Sequence, residues 1–228
     1  MGKLGALAVA PVLICLVYIY VRDKYEKEPW RLLATGVIIG AVLTFPIMQA
    51  EVFMMRFMPI TGRLGEAAFI SFAVAALVEE GFKFVVLYFL TWRNTNLNER
   101  MDGIVYAVFI SMGFAGVENV LYVFSPSLGG LDTALMRALV SVPSHGFFGV
   151  VMGYYFALAK FERDKRKRHL FNAFFITWIL HGIYDVILLS GYAYYLVVFI
   201  PFLLVFWRSG LKKIKAHLEA SPFRLNQF

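Results

Sequence analysis

The chain has 228 residues, 60% of them hydrophobic and only 16% charged, with a mean hydropathy of +0.70 and a formal charge of +7. Soluble domains carry about 25% charged residues, so this composition excludes a soluble globular protein and points to a membrane-embedded one. The positive charge is confined to loops beside apolar runs, which makes it a topology signal and no argument for nucleic acid.

Seven apolar runs approach the ~20 residues that a helix needs to cross about 30 Å of hydrocarbon. The first, Leu4–Val21, is too long for the core of a secretory leader and lacks a small-x-small site after it, so it reads as a retained span. It holds the single cysteine, Cys15, which has no intramolecular partner. The second run, Leu32–Phe57, contains Pro46 and the pair Gly36-x-x-x-Gly40, a spacing that lets helices pack closely. Glu51 near its end, and Glu66 beyond it, read as boundary residues within reach of water.

The third run, Ala67–Thr91, places Glu79, Glu80 and Lys83 near its middle. A charge at that depth costs about 2.5–3.5 kcal/mol, so three together are expected to serve a purpose. Lys83 is one turn from both glutamates, able to neutralise one while the other remains a base. The fourth run, Asp102–Phe124, opens on Asp102-Gly103, where aspartate suits a helix cap as well as chemistry. It carries Glu118 in its outer half. In the fifth, Leu135–Ala159, Arg137, Ser141 and His145 share a face. Pro143 is expected to kink that helix beside the imidazole, and Gly149-x-x-x-Gly153 repeats the close-packing spacing. The sixth, Leu170–Ser190, pairs His181 with Asp185 at i,i+4, a spacing at which the carboxylate fixes the imidazole tautomer. The seventh, Tyr192–Trp207, is short.

Basic residues follow the first, third, fifth and seventh runs, including Lys160, Arg163, Lys165, Arg166, Lys167 and Arg168 after the fifth. The opposite side has only Lys3, Arg56 and Arg63. This predicts an all-α polytopic bundle with its N-terminus outside and C-terminus inside. It forms one domain, residues 1–215, with a cytoplasmic tail, 216–228. On this topology Glu79, Glu80, His145 and His181 all lie near the midplane at 1.5 Å per residue, and Glu118 and Asp185 lie outward of them. Carboxylates and imidazoles in one slab suggest hydrolysis or ion movement. A proton- or ion-coupled transporter is the alternative, although no inverted repeat is evident. Interhelical glue is a further reading.

The ordered motifs Asp23-Lys24-Tyr25-Glu26-Lys27-Glu28-Pro29, Glu79-Glu80-x-x-Lys83, Asp102-Gly103-Ile104-Val105-Tyr106, Gly113-Phe114-Ala115-x-x-Glu118-Asn119-x-x-Tyr122, Ser144-His145 and His181-Gly182-x-Tyr184-Asp185 resemble those of the PrsW intramembrane proteases. The resemblance runs from about residue 11 to 215. It is distantly similar to the type II CAAX prenyl endopeptidases, from which Glu118 and Asp185 depart, where His and Asn are usual. Within the PrsW pattern Ala107 replaces an expected Gly. The resemblance implies a bacterial cell-membrane protease that cleaves a single-pass anti-sigma factor. The expected catalytic set is Glu79, Glu80, His145, His181, Glu118 and Asp185. Glu79 is the expected base on water, with Glu80 tuned by Lys83. His181, held by Asp185, is expected to stabilise the oxyanion, and His145 to orient water or protonate the leaving amine. No HExxH is present, so no cofactor is expected; zinc on the two His and two Glu is the variant.

Overall fold

A computed structural model describes residues 2–60 and 62–227 of the chain. Helix α1 (Gly2–Arg22) leads to α2 (Trp30–Met55). A third rod is built from α3 (Arg63–Phe69), a π-helical stretch (Ile70–Ala76) and α4 (Leu77–Thr91). Helix α5 (Arg100–Val123) follows, then α6 (Leu131–Met136), a second π-helical stretch (Arg137–Ser141) and α7 (Val142–Phe161). Helices α8 (Arg166–Leu189) and α9 (Ala193–Glu219) complete the bundle.

The seven rods lie where the apolar runs predict them. Among the described residues, five are long and apolar enough to cross a membrane by length and composition alone. The third rod carries Glu79, Glu80 and Lys83. The seventh runs on past Trp207 to Glu219, and its second half bears Arg208, Lys212, Lys213 and Lys215. Large apolar side chains such as Phe89, Leu139, Val197 and Val205 project outward, as a bundle solvated by lipid requires.

Helix α5 is the axis of the molecule. Every residue from Met101 to Ala115 is buried, because the helix is apolar or small on all sides. It packs chiefly against α7 and α2. Both predicted glycine pairs serve these contacts. A Cβ at Gly40 would strike the Ile110 carbonyl, and one at Gly153 would strike the Gly103 carbonyl. Such approaches align α2 and α7 on α5 and so fix the spacing of the polar groups each helix carries.

Pro143 sits in the first turn of α7, directly after π-helical turns rather than at a simple kink. A single wide turn of this kind re-aims the side chains around it. The other π-helical stretch is locked in place from outside. Trp178 Nε1–H donates to the Phe72 carbonyl (2.7 Å), which also takes the Leu77 N–H.

At the basic end, Asp102 caps α5: its Oδ2 accepts the N–H groups of Asn98 (2.8 Å) and Glu99 (2.7 Å). Asp23, Glu28 and Glu99 are buried beside it. Burial, aided by neighbouring carboxylates, pushes Asp23 up to about 7, Glu28 up to about 10 and Glu99 up to about 7.

Candidate active site

The bundle brings together all six residues expected from the sequence. Glu79 and Glu80 come from α4, Glu118 from α5, His145 from α7, and His181 and Asp185 from α8. Lys83 bridges both glutamates, donating to Glu79 Oε2 and Glu80 Oε1 at 2.9 Å each. It thus serves the pair rather than one member. Its ammonium also lies 4.2 Å from the centre of the Phe114 ring, whose face attracts a cation.

Two relays converge on this pair. On one side Glu80 Oε1 contacts His181 Nδ1 at 2.9 Å, and His181 Nε2 contacts Asp185 Oδ2 at 3.3 Å. Carboxylates only accept, so a proton on each ring nitrogen satisfies both contacts. Phe148 stacks on the ring at 4.6 Å and fixes its plane. On the other side Arg137 Nη2 donates to Glu118 Oε2 at 2.6 Å, and Arg137 Nε to Asn119 Oδ1 at 2.8 Å. Glu118 Oε2 in turn contacts His145 Nε2 at 3.1 Å. That leaves His145 Nδ1 without a protein partner, 4.0 Å from Glu79 Oε2.

A cavity of about 560 Å³ covers the site. Glu79, Glu118, His145, His181 and Asp185 line it, and Glu80 does not. Its walls include Ser125 and Leu128 beyond α5 and Leu189 at the end of α8, so it opens at the end of the bundle opposite the basic loops. Two charged residues of the wall, Arg137 and Glu51, lie outside the expected catalytic set. Arg137 shares a helical face with His145, and that spacing was the signal for it. Glu51 read as a boundary residue; the structure places it in the cavity wall, with Thr44, Ile47 and Met48 of the same helix. No local pattern in the sequence could reveal that.

Glu79, Glu80 and His145 each offer a donor atom within 4.8 Å of one another. Glu80 Oε2 and His145 Nδ1 are buried without protein partners. Two carboxylates and an imidazole are ordinary ligands for zinc. The donors therefore fit a metal, although Lys83 already occupies one oxygen of each glutamate.

Buried carboxylates and imidazoles around an outward-opening cavity define a multi-pass helical membrane protein with an intramembrane polar site. The chain belongs to the PrsW family of intramembrane metalloproteases, whose profile matches residues 28–206. It is 37% identical over 218 residues to Protease PrsW of Clostridioides difficile (strain 630), covering 94% of this chain and 91% of that protein. Protease PrsW of Geobacillus kaustophilus (strain HTA426) is 38% identical over 217 residues, 94% of this chain and 92% of that protein. Protease PrsW of Bacillus subtilis (strain 168) is 36% identical over 210 residues, with 91% and 92% covered. No solved structure matches the chain.

Proposed function

We propose that this protein is an intramembrane endopeptidase in which Glu79 activates water to cleave a single-pass membrane protein near the outer face. The observation that carries the reading is the 4.0 Å gap between Glu79 Oε2 and His145 Nδ1 at the cavity wall. Two hydrogen bonds of about 2.8 Å meeting at about 90° span that gap, which suits one water molecule. Glu80 has a free oxygen, Oε2, but it does not line the cavity, and its Oε1 is held between Lys83 and His181. In the proposed step Glu79 takes a proton from the water as its oxygen attacks the scissile carbonyl carbon. The oxyanion gathers charge beside His181, whose Nε2–H is held by the longer contact to Asp185. His145 or the protonated Glu79 passes the proton to the leaving amine, and the C–N bond breaks. General acid–base groups of this kind contribute about 10²–10⁴-fold in rate.

Glu79, Glu80 and His145 would hold a metal if one binds. A bound metal would supply Lewis-acid polarisation of the water and carbonyl. Loss of activity in a chelator with recovery on added zinc would assign that role, and full activity in chelator would reject it.

An anti-sigma factor with one span is the substrate class the family resemblance suggests. Substrate backbone is easier to unwind at a helix end than within hydrocarbon, which favours a cut at the open end of the cavity. Inward of Lys83 the packing around Leu87, Ile104 and Phe156 is buried and apolar, which speaks against a transmembrane ion path. The test is reconstitution with a single-span substrate and mass spectrometry of the new N-terminus. A cut on the outer side of the span is expected, and a cut on the cytoplasmic side would contradict the proposal.

A further inference from the structure

Glu51 stands apart from the other carboxylates of the cavity. Glu79 is held by Lys83, Glu118 by Arg137 and His145, and Asp185 by His181. Among the described residues Glu51 has no hydrogen-bonding or ion-pairing partner, yet it is half-buried in the cavity wall. The charges that act most on it are Glu79, Glu118, Lys83 and His181. Lys83 and His181 are already in direct contact with other carboxylates. The wall therefore carries four carboxylates, Glu51, Glu79, Glu118 and Asp185, and its cations, the Arg137 guanidinium and the His181 imidazolium, are each already paired with carboxylates other than Glu51. A half-desolvated carboxylate in such surroundings gains most from a cation supplied from outside.

Its position says which cation can arrive. Glu51 lies four residues before Met55, the last residue of α2. At 1.5 Å per residue that is about 6 Å from the helix end, outward of Glu79. Glu51 and Glu79 line the same cavity, so a substrate whose carbonyl sits at Glu79 can place a neighbouring side chain at Glu51.

We propose that Glu51 is a specificity subsite for a Lys or Arg side chain of the substrate, close to the scissile bond on its outer side. The proposal rests on the endopeptidase reading of the site. Docking of an ammonium or guanidinium group on Glu51 holds the substrate in register and takes no part in bond breaking.

The test uses synthetic single-span peptides in vesicles with the full-length protein. They are identical except for Lys, Gln or Glu walked through the outer juxtamembrane positions. At one position the wild type should prefer Lys over Gln about tenfold in kcat/KM, carried by KM, since a partly exposed charge pair governs binding. Glu51→Gln should abolish that preference, and Glu51→Arg should turn it toward Glu. Absence of any Lys preference in the wild type, or a preference that survives Glu51→Gln, overturns the proposal. An equal fall in kcat for all three peptides in Glu51→Gln also overturns it and moves Glu51 into the chemistry. Binding of the same peptides to Glu79→Gln protein reads the charge preference without turnover. No cleavage of any peptide, with Lys-selective binding intact, would count against the endopeptidase reading and for the subsite.

Discussion

Replacing Lys83 by Met should unfold the site from within, and the size of the effect follows from its contacts. The side chain is 2% exposed and donates to two carboxylates at 2.9 Å each. Methionine keeps much of the packing against Phe114 but removes the charge. Hydrogen bonds to charged groups contribute about 1.5–3 kcal/mol each, so two amount to roughly 3–6 kcal/mol. Breaking a buried ion pair by removing one partner costs about 3–5 kcal/mol, a consistent range. The excess comes from two carboxylates on adjacent residues that keep only the His181 contact to Glu80 and the 4.0 Å approach of His145 to Glu79. Lys83→Met with Glu80→Gln should therefore be more stable than Lys83→Met alone, by roughly 1–3 kcal/mol. Equilibrium unfolding in detergent, run as a double-mutant cycle, measures both quantities. A loss under about 1 kcal/mol for Lys83→Met, or no recovery in the double variant, would refute the bridging role assigned to this lysine.

Gly153→Ala should destabilise the protein by about 1–3 kcal/mol and lower cleavage, because the added methyl would force α7 away from α5 at the Gly103 carbonyl; thermal unfolding checks this, and an unchanged midpoint counts against the close approach. Asp23→Asn should stabilise the protein above pH 7 and leave it unchanged near pH 4. Burial raises the Asp23 carboxyl from 3.8 to about 7 in the folded state. The wild type is therefore favoured below pH 4 and loses stability as pH rises through this window. About three units at ~1.4 kcal/mol each, discounted for solvent screening, leaves a gain of order 2 kcal/mol for the variant. Unfolding curves at pH 4 and 8 decide it, and equal stabilities at both would refute the assignment. For the N-out, C-in topology, cysteines placed at Ile60 and Lys165 in a Cys15→Ser background should react with an impermeant reagent in intact cells at the first site only; the reverse pattern would invert the map.

The bundle was legible because apolar runs of membrane-crossing length admit little besides helices, and the glycine pairs marked where two helices meet α5. Glu79, Glu80 and His181 were legible because charge inside such runs is costly and their i,i+3 and i,i+4 neighbours announce local pairs. The contact from Glu80 to His181 joins residues on separate helices and has no local signature. Glu51 was read as a boundary residue for the same reason: its depth on α2 was visible, but the face it turns to α5 was not. The π-helical turns were also hidden, since Pro143 suggested a kink and the wide turn that precedes it depends on tertiary partners.

The most direct measurement is cleavage of a single-span substrate by purified wild type, Glu79→Gln, Glu80→Gln and His181→Ala in the same vesicles at matched protein levels. The account predicts that each variant stays folded and loses about 10²–10⁴-fold in rate. Near-normal cleavage by both glutamate variants would contradict it.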